Sequence, residues 1–338
     1  MNISLRWLGA VFGKALSRQA LSVKALPLVL AGSVLAPHTF ATVADGTCPA
    51  GSLGEIATLA LIQKKPALDT DDFRTYWRDI HGMLATRIPG FWTYTQHHLE
   101  EEILSAADNP ARSGEQLHGF AEVTYCNEAD IAGLASSAVT ELIKEDEQNA
   151  FAATYLYGTR RGDSSTLIAP ATTASGTNGA VGGAVILLVA RADNEESAAF
   201  REALGPALDT LSAMCPDIQR ARSHFLLHYQ PDAWQAPNVN HDPAVVYDAV
   251  LELGFDERAT AVACLGETLL SALARAPGGQ SRTVDVHFVS ARYPMVRDGK
   301  PTLLGLRGLP AYQLIRKLDA GNQMNPVILE VLYGAAGE

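Results

Sequence analysis

Four histidines stand where imidazole chemistry could be built: His81, His97, His98 and His224. Imidazole takes up and releases a proton near neutral pH, so a histidine at the margin of an apolar pocket suits general acid–base catalysis. His81 follows Tyr76 and Trp77 at five and four residues, which puts it beside an aromatic stripe if the stretch is helical. It is the leading catalytic candidate; the structural alternative is a histidine tied to a core carbonyl or to its neighbours Arg78 and Asp79. His97 is the second catalytic candidate, in support of His81, and the alternative is a surface histidine at a strand end. His97 and His98 are adjacent, so on a strand they face opposite ways and cannot share one ion. Tyr76, Trp77, Trp92, Tyr94 and His224 are candidate substrate-binding residues, the aromatics offering flat walls to a hydrophobic ligand. His118, His228, His241 and His287 lack a complementary spacing and receive no role.

These side chains need a helix and a strand to position them. Asp69, Thr70, Asp71 and Asp72 supply cap acceptors and acids for a helix N-terminus. Phe73, Tyr76, Trp77, Ile80, Leu84 and Ile88 then recur at three-and-four spacing, and Pro89-Gly90 ends the run. Phe91 to Leu99 reads as a strand with Trp92, Tyr94, Gln96 and His98 on one face and Thr93, Thr95 and His97 on the other. Alternation leaves open which face meets the helices. Upstream, Glu55 to Gln63 reads as a first strand. Downstream follow a polar loop (100–117), a strand (119–126), a helix from about Glu128 and a strand over Phe151 to Tyr157, giving β-α-β-β-α-β.

The run F-R-x-Y-W-R-x-x-H, closed by I-P-G and followed by an aromatic strand reading Q-H-H, resembles the EthD family. The residues that carry the resemblance are Phe73, Arg74, Tyr76, Trp77, Arg78, His81, Pro89, Gly90, Gln96 and His97. It implies an α+β fold of ferredoxin-like (βαββαβ) units paired as a dimeric α+β barrel, and oxidoreductase or monooxygenase chemistry on a hydrophobic, aromatic small molecule. Relatives of the fold also decarboxylate or cyclise aromatic intermediates, and a non-catalytic binding or accessory role is the other alternative.

The helix, its terminating proline and the next strand can be overlaid on the chain again, without a gap, at a shift of 127 residues: Phe73 on Phe200, Pro89 on Pro216, His97 on His224 and Val123 on Val250. This indicates an internal duplication, with His81, Trp77 and Tyr76 replaced by Leu208, Leu204 and Ala203. One chain then supplies both units of an intrachain pseudo-dimeric barrel, as a monomer or a homodimer. The expected organisation is a signal peptide (1–41), a first EthD-like unit (55–160), a flexible Gly/Ser/Thr-rich linker (161–183), a degenerate second unit (184–296) and a C-terminal extension (297–338).

Composition narrows the partners. The formal charge of the 338 residues is −11, and the basic residues of the leader, Arg6, Lys14, Arg18 and Lys24, precede any acid. The acidic body argues against nucleic acid and anionic lipid. The apolar run from Ala25 to Ala36 is too short to span a bilayer and is followed by small residues suited to cleavage, so export is expected, with a cytoplasmic location if the true start lies downstream. Cys48, Cys126, Cys215 and Cys264 form no CxxC motif; oxidised, they allow three pairings. No HExxH, GxGxxG, P-loop or GxSxG motif is present, so no metal, haem, nucleotide or other cofactor is expected.

Overall fold

The computed structural model describes residues 48–105, 116–169 and 179–333. The expected signal peptide lies outside the described residues, as do 170–178 of the expected linker.

The first unit runs β1 (Ile56–Lys64), α1 (Thr70–Tyr76), a π-helical turn (Trp77–His81), α2 (Gly82–Ala85), β2 (Thr93–Ser105), β3 (Gly119–Tyr125), α3 (Ile131–Ser136), α4 (Ala138–Ala150) and β4 (Phe151–Gly158). Asp69 caps α1 by accepting from the Asp71 amide at 2.8 Å. β5 (Ser164–Ile168) follows. The second unit comprises β6 (Gly179–Ala190), α5 (Ser197–Asp209), α6 (Leu211–Met214), β7 (Arg220–Phe225), β8 (Ala249–Phe255), α7 (Arg258–Cys264), α8 (Leu270–Ala274) and β9 (Thr283–Arg297). The chain closes with β10 (Lys300–Pro301), α9 (Leu303–Lys317) and α10 (Pro326–Tyr333).

The main strands lie in the order β4-β1-β3-β2-β9-β6-β8-β7-β5. Each half therefore shows the same antiparallel arrangement, fourth strand, first, third, second. β9 begins on its own β6 and then crosses to pair with β2, with His97 opposite Arg292 and Gln96 opposite Tyr293. The β4–β5 segment does the same in reverse: β4 pairs with β1, and β5 pairs with β7, Ser164 facing His224. Two seams so related close an intrachain α+β barrel. Its inward residues form one apolar cluster drawn from both halves, including Leu59, Phe120, Tyr155, Ile186, Leu188 and Val250. The outward faces are covered by the helices, over Phe73 and Trp77 in the first half and Phe200 and Leu204 in the second.

The register refines the sequence overlay. Leu59 pairs with Glu122 and Ile186 pairs with Glu252, while Thr95 faces Glu122 and Arg222 faces Glu252. The shift of 127 holds for the first two strands, but Glu122 matches Glu252, a shift of 130, so Val250 stands where Phe120 does and not where Val123 does. The loop between the second and third strands absorbs the difference, because loops tolerate insertion where paired strands do not. Ser164–Ile168, inside the stretch read as a linker, is a strand: the edge of β7 offers unpaired backbone groups and the run accepts them. The C-terminal segment packs on the first half, where the Leu309 amide donates to Asp79 Oδ1 at 2.8 Å and Arg87 lies over the Tyr333 ring. The cysteines pair as Cys48–Cys126 and Cys215–Cys264.

Candidate functional site

The helix that carries His81 is not a regular α-helix. Gly82 donates its amide back to the Trp77 carbonyl, five residues earlier, and Gln96 Nε2 donates to the same oxygen at 2.9 Å. That second donor is what holds the wider turn, and only glycine fits beside it: a Cβ on Gly82 would stand 2.4 Å from Gln96 Nε2. Such π turns cluster at functional sites because they re-aim side chains that a regular helix would send elsewhere. Trp77 is fully buried, stacked on His98 at 4.7 Å and on Phe73 at 5.9 Å.

His81 is also buried and lies 4.9 Å from the Phe151 ring. Its Nδ1 donates to Asp146 Oδ2 at 2.9 Å, and Asp146 Oδ1 accepts from the Tyr76 hydroxyl at 2.6 Å. Burial alone would push the Asp146 carboxyl up, but the hydrogen bonds from His81 and Tyr76 hold it below its ordinary value. The Tyr76 hydroxyl is pushed up to about 12 by burial and by the bond it gives Asp146. A carboxylate on Nδ1 fixes the ring orientation and leaves Nε2 as the nitrogen available for proton exchange, an arrangement that suits acid–base chemistry.

His81 opens on a cavity of about 70 Å³ between the first sheet and its helices, lined also by Trp77, Phe91, Tyr94, Glu147 and Trp234. Trp234 comes from the β7–β8 loop of the second half and caps the space. Its Nε1 donates to Glu147 Oε1 at 2.9 Å, and Thr154 Oγ1 donates to Glu147 Oε2 at 2.9 Å. Burial pushes the Glu147 carboxyl up to about 8, so at neutral pH it is an acid with a proton to give. A cavity that admits benzene measures about 150 Å³, so an aromatic ligand has to displace the Trp234 cap.

The structure thus brings His81, Trp77 and Tyr94 to one cavity, with Tyr76 behind them on Asp146. Trp92 is elsewhere: its Nε1 donates to the Ser52 carbonyl at 2.9 Å, because it precedes the first residue of β2 and strand alternation does not govern it. His97 and His224 are on the opposite face of the sheet, inside the barrel, 2% and 0% exposed. His97 is therefore neither a surface residue nor within reach of the His81 cavity. With them are Glu122 and Glu252. His224 Nε2 lies 3.2 Å from Glu252 Oε1 and 3.7 Å from Glu122 Oε1, and His97 Nε2 lies 3.8 Å from Glu252 Oε2. His97, Glu122 and Glu252 each present an atom within 4.8 Å of the others, a spacing that a metal ion could bridge. Burial pushes His97 down to about 3, so it is neutral. Asp146, Glu147, Trp234, Glu122 and Glu252 escape the sequence reading. The two glutamates, single acids in otherwise apolar strands, carried a visible signal; the others did not.

Residues 65–154 match the EthD domain family model. Several solved structures resemble the chain path. One is a protein of Lactobacillus acidophilus NCFM provisionally assigned as a monooxygenase (11% identity, TM-score 0.41, 73% of this chain and 97% of that one). Another is an anthrone oxidase-like protein (12%, 0.43, 75% and 99%). A third is a mutant chlorite dismutase from Candidatus Nitrospira defluvii (11%, 0.33, 71% and 92%). Likeness at these identities concerns fold and carries no chemistry. No curated protein is significantly similar in sequence. Among the described residues no helix is long and apolar enough to cross a membrane.

Proposed function

We propose that the EthD domain of residues 65–154 is an acid–base site for a hydrophobic, aromatic small molecule, and that the reaction is an oxidation of the monooxygenase type begun by proton abstraction at His81. The observation that carries this reading is the Asp146–His81 pair opening on an apolar, aromatic-walled cavity. His81 Nε2 takes a proton from an activated C–H of the substrate, and Asp146 stabilises the imidazolium. The carbanion gives its electrons to dioxygen. Overall a substrate methylene becomes a carbonyl: it loses four electrons, one oxygen atom enters the product, and the other leaves as water with both hydrogens. Trp77 and Tyr94 hold the rings, and the second unit, which has leucine in place of His81 and Trp77, supplies the Trp234 cap.

A binding role is the second reading, favoured by how little space the capped cavity leaves. The two readings separate in one experiment. Aromatic ketones and phenols are screened for the compound that most raises the melting temperature, since any ligand preferring the folded state stabilises it. Oxygen uptake is then followed with that compound. Turnover by the native protein that falls at least a hundredfold in His81→Asn, with binding retained, supports the enzyme. Binding without oxygen uptake in either protein supports the carrier.

We assign the two EthD-like units to 55–160 and 184–296, as products of an internal duplication, and the protein to an oxidising compartment after export. The two disulfides support that location, being rare in reducing ones. Mass spectrometry of the mature protein, with the N-terminus near residue 42 and no free thiol, tests it.

A further inference from the structure

The barrel interior holds charged groups that the His81 site does not use. Arg220 Nη2 donates to Glu252 Oε2 at 2.6 Å, and Arg222 Nε lies 2.9 Å from Glu122 Oε1 as an ion pair without hydrogen-bond alignment. Two carboxylates are therefore matched by two guanidinium groups. A third, Arg292, stands directly across the β2–β9 seam from His97. Paired residues of an antiparallel ladder project from the same face, so Arg292 faces the barrel beside His97. Among the described residues Arg292 makes no ion pair, and its Nε is buried without a hydrogen-bond partner; His97 Nε2, on a side chain 2% exposed, makes no hydrogen bond either, the Glu252 carboxylate lying 3.8 Å away. Burial and Arg220 draw the Arg292 guanidinium down to about 10, still charged at neutral pH. Arg220, Arg222 and Arg292 against Glu122 and Glu252 make three positive and two negative charges in this group; a further interior carboxylate, Asp285, lies farther back along β9, where it accepts from the Tyr247 hydroxyl at 2.7 Å.

We propose that the barrel interior binds a small monovalent anion, a halide or a carboxylate the size of formate, between Arg292 and His97, where it completes the charge balance across the seam joining the two halves. The two nitrogen atoms, neither of which makes a hydrogen bond, are the donors such an ion needs. A divalent cation on His97, Glu122 and Glu252 is the competing occupant, but it would add two charges to a buried cluster already in positive surplus and would displace Arg222 from Glu122.

Crystals of the full chain soaked in bromide test this through the anomalous signal of the ion. The expected result is a peak inside the barrel within hydrogen-bond reach of the Arg292 guanidinium and His97 Nε2. In solution the melting temperature rises as bromide replaces a bulky sulfonate at constant ionic strength, and Arg292→Met loses that dependence. If the variant fails to fold, the wild-type anomalous map decides alone. An interior without a bromide peak overturns the proposal, and so does a manganese or zinc peak between Glu122 and Glu252.

Discussion

Glu147→Gln separates a buried acid from a buried carboxylate. In the folded protein burial carries this carboxyl from an ordinary 4.5 to about 8. At 1.36 kcal/mol for each tenfold change in proton affinity, that corresponds to a ceiling of about 5 kcal/mol. Relaxation and water entry reduce it, so about 2–5 kcal/mol is expected. The sign follows from which state holds the proton. Below pH 4.5 both folded and unfolded chains are protonated at this position, and the group adds no pH dependence. Between pH 4.5 and 8 the folded chain keeps a proton that the unfolded chain has lost, so stability falls as pH rises; above 8 the loss is complete. Glutamine keeps the geometry, its amide oxygen accepting from Trp234 and its NH2 turning to Thr154, and it has no proton to lose. Urea unfolding followed by tryptophan fluorescence from pH 5 to 9 measures the difference. The two proteins should lie within about 1 kcal/mol at pH 5, and the variant should be more stable by about 2–5 kcal/mol at pH 8.5. A difference that stays constant with pH, or a wild type more stable at pH 8.5, refutes the buried-acid assignment.

Asp146→Asn removes the charge that orients His81; a hydrogen bond to a charged group contributes about 1.5–3 kcal/mol, so turnover should fall about ten- to a hundredfold with ligand affinity unchanged. Steady-state kinetics check it, and full activity would remove His81 as the base. At the acid end, burial holds His287 down to about 4 and His97 to about 3, so both stay neutral in the fold and its stability falls as pH drops below 6.5. His287→Leu should flatten that acid limb by about 3 kcal/mol between pH 6.5 and 4, read from the same unfolding curves. The disulfides close loops of 78 and 49 residues, and reduction of each should cost about 4 kcal/mol by loop entropy, read as a lower urea midpoint in dithiothreitol.

The parts of the fold that rest on local pattern could be read directly. The apolar spacing of Phe73 and Trp77 placed the helix face, and Pro89-Gly90 placed its end; Gly90 has φ of +89°, which glycine tolerates without strain. What depends on distant partners could not be read. The π turn needs Gln96 to donate from a strand 19 residues away, and the Trp234 cap reaches Glu147 across 87 residues. The face of β2 that meets the helices was undetermined for a physical reason. Both faces are buried in a barrel, so alternation loses the contrast between wet and dry that fixes orientation on an open sheet. The aromatic face went to the helices, and the face with His97 went inside, beside Glu122 and Glu252. Those acids, interrupting GFAEVTY and AVLELGF, are costly in an apolar strand unless paired, and that cost was the available sign of a buried polar cluster.

In the proposed reaction the ligand sits in the His81 cavity. A crystal structure of the full chain with the aromatic compound that most raises its melting temperature tests this directly. The predicted result is a ring held between Trp77 and Tyr94, with a polar substituent in hydrogen-bond reach of His81 Nε2 and Trp234 displaced from Glu147. A ligand lodged inside the barrel or on the surface, with Trp234 still bonded to Glu147 and His81 untouched, would contradict it.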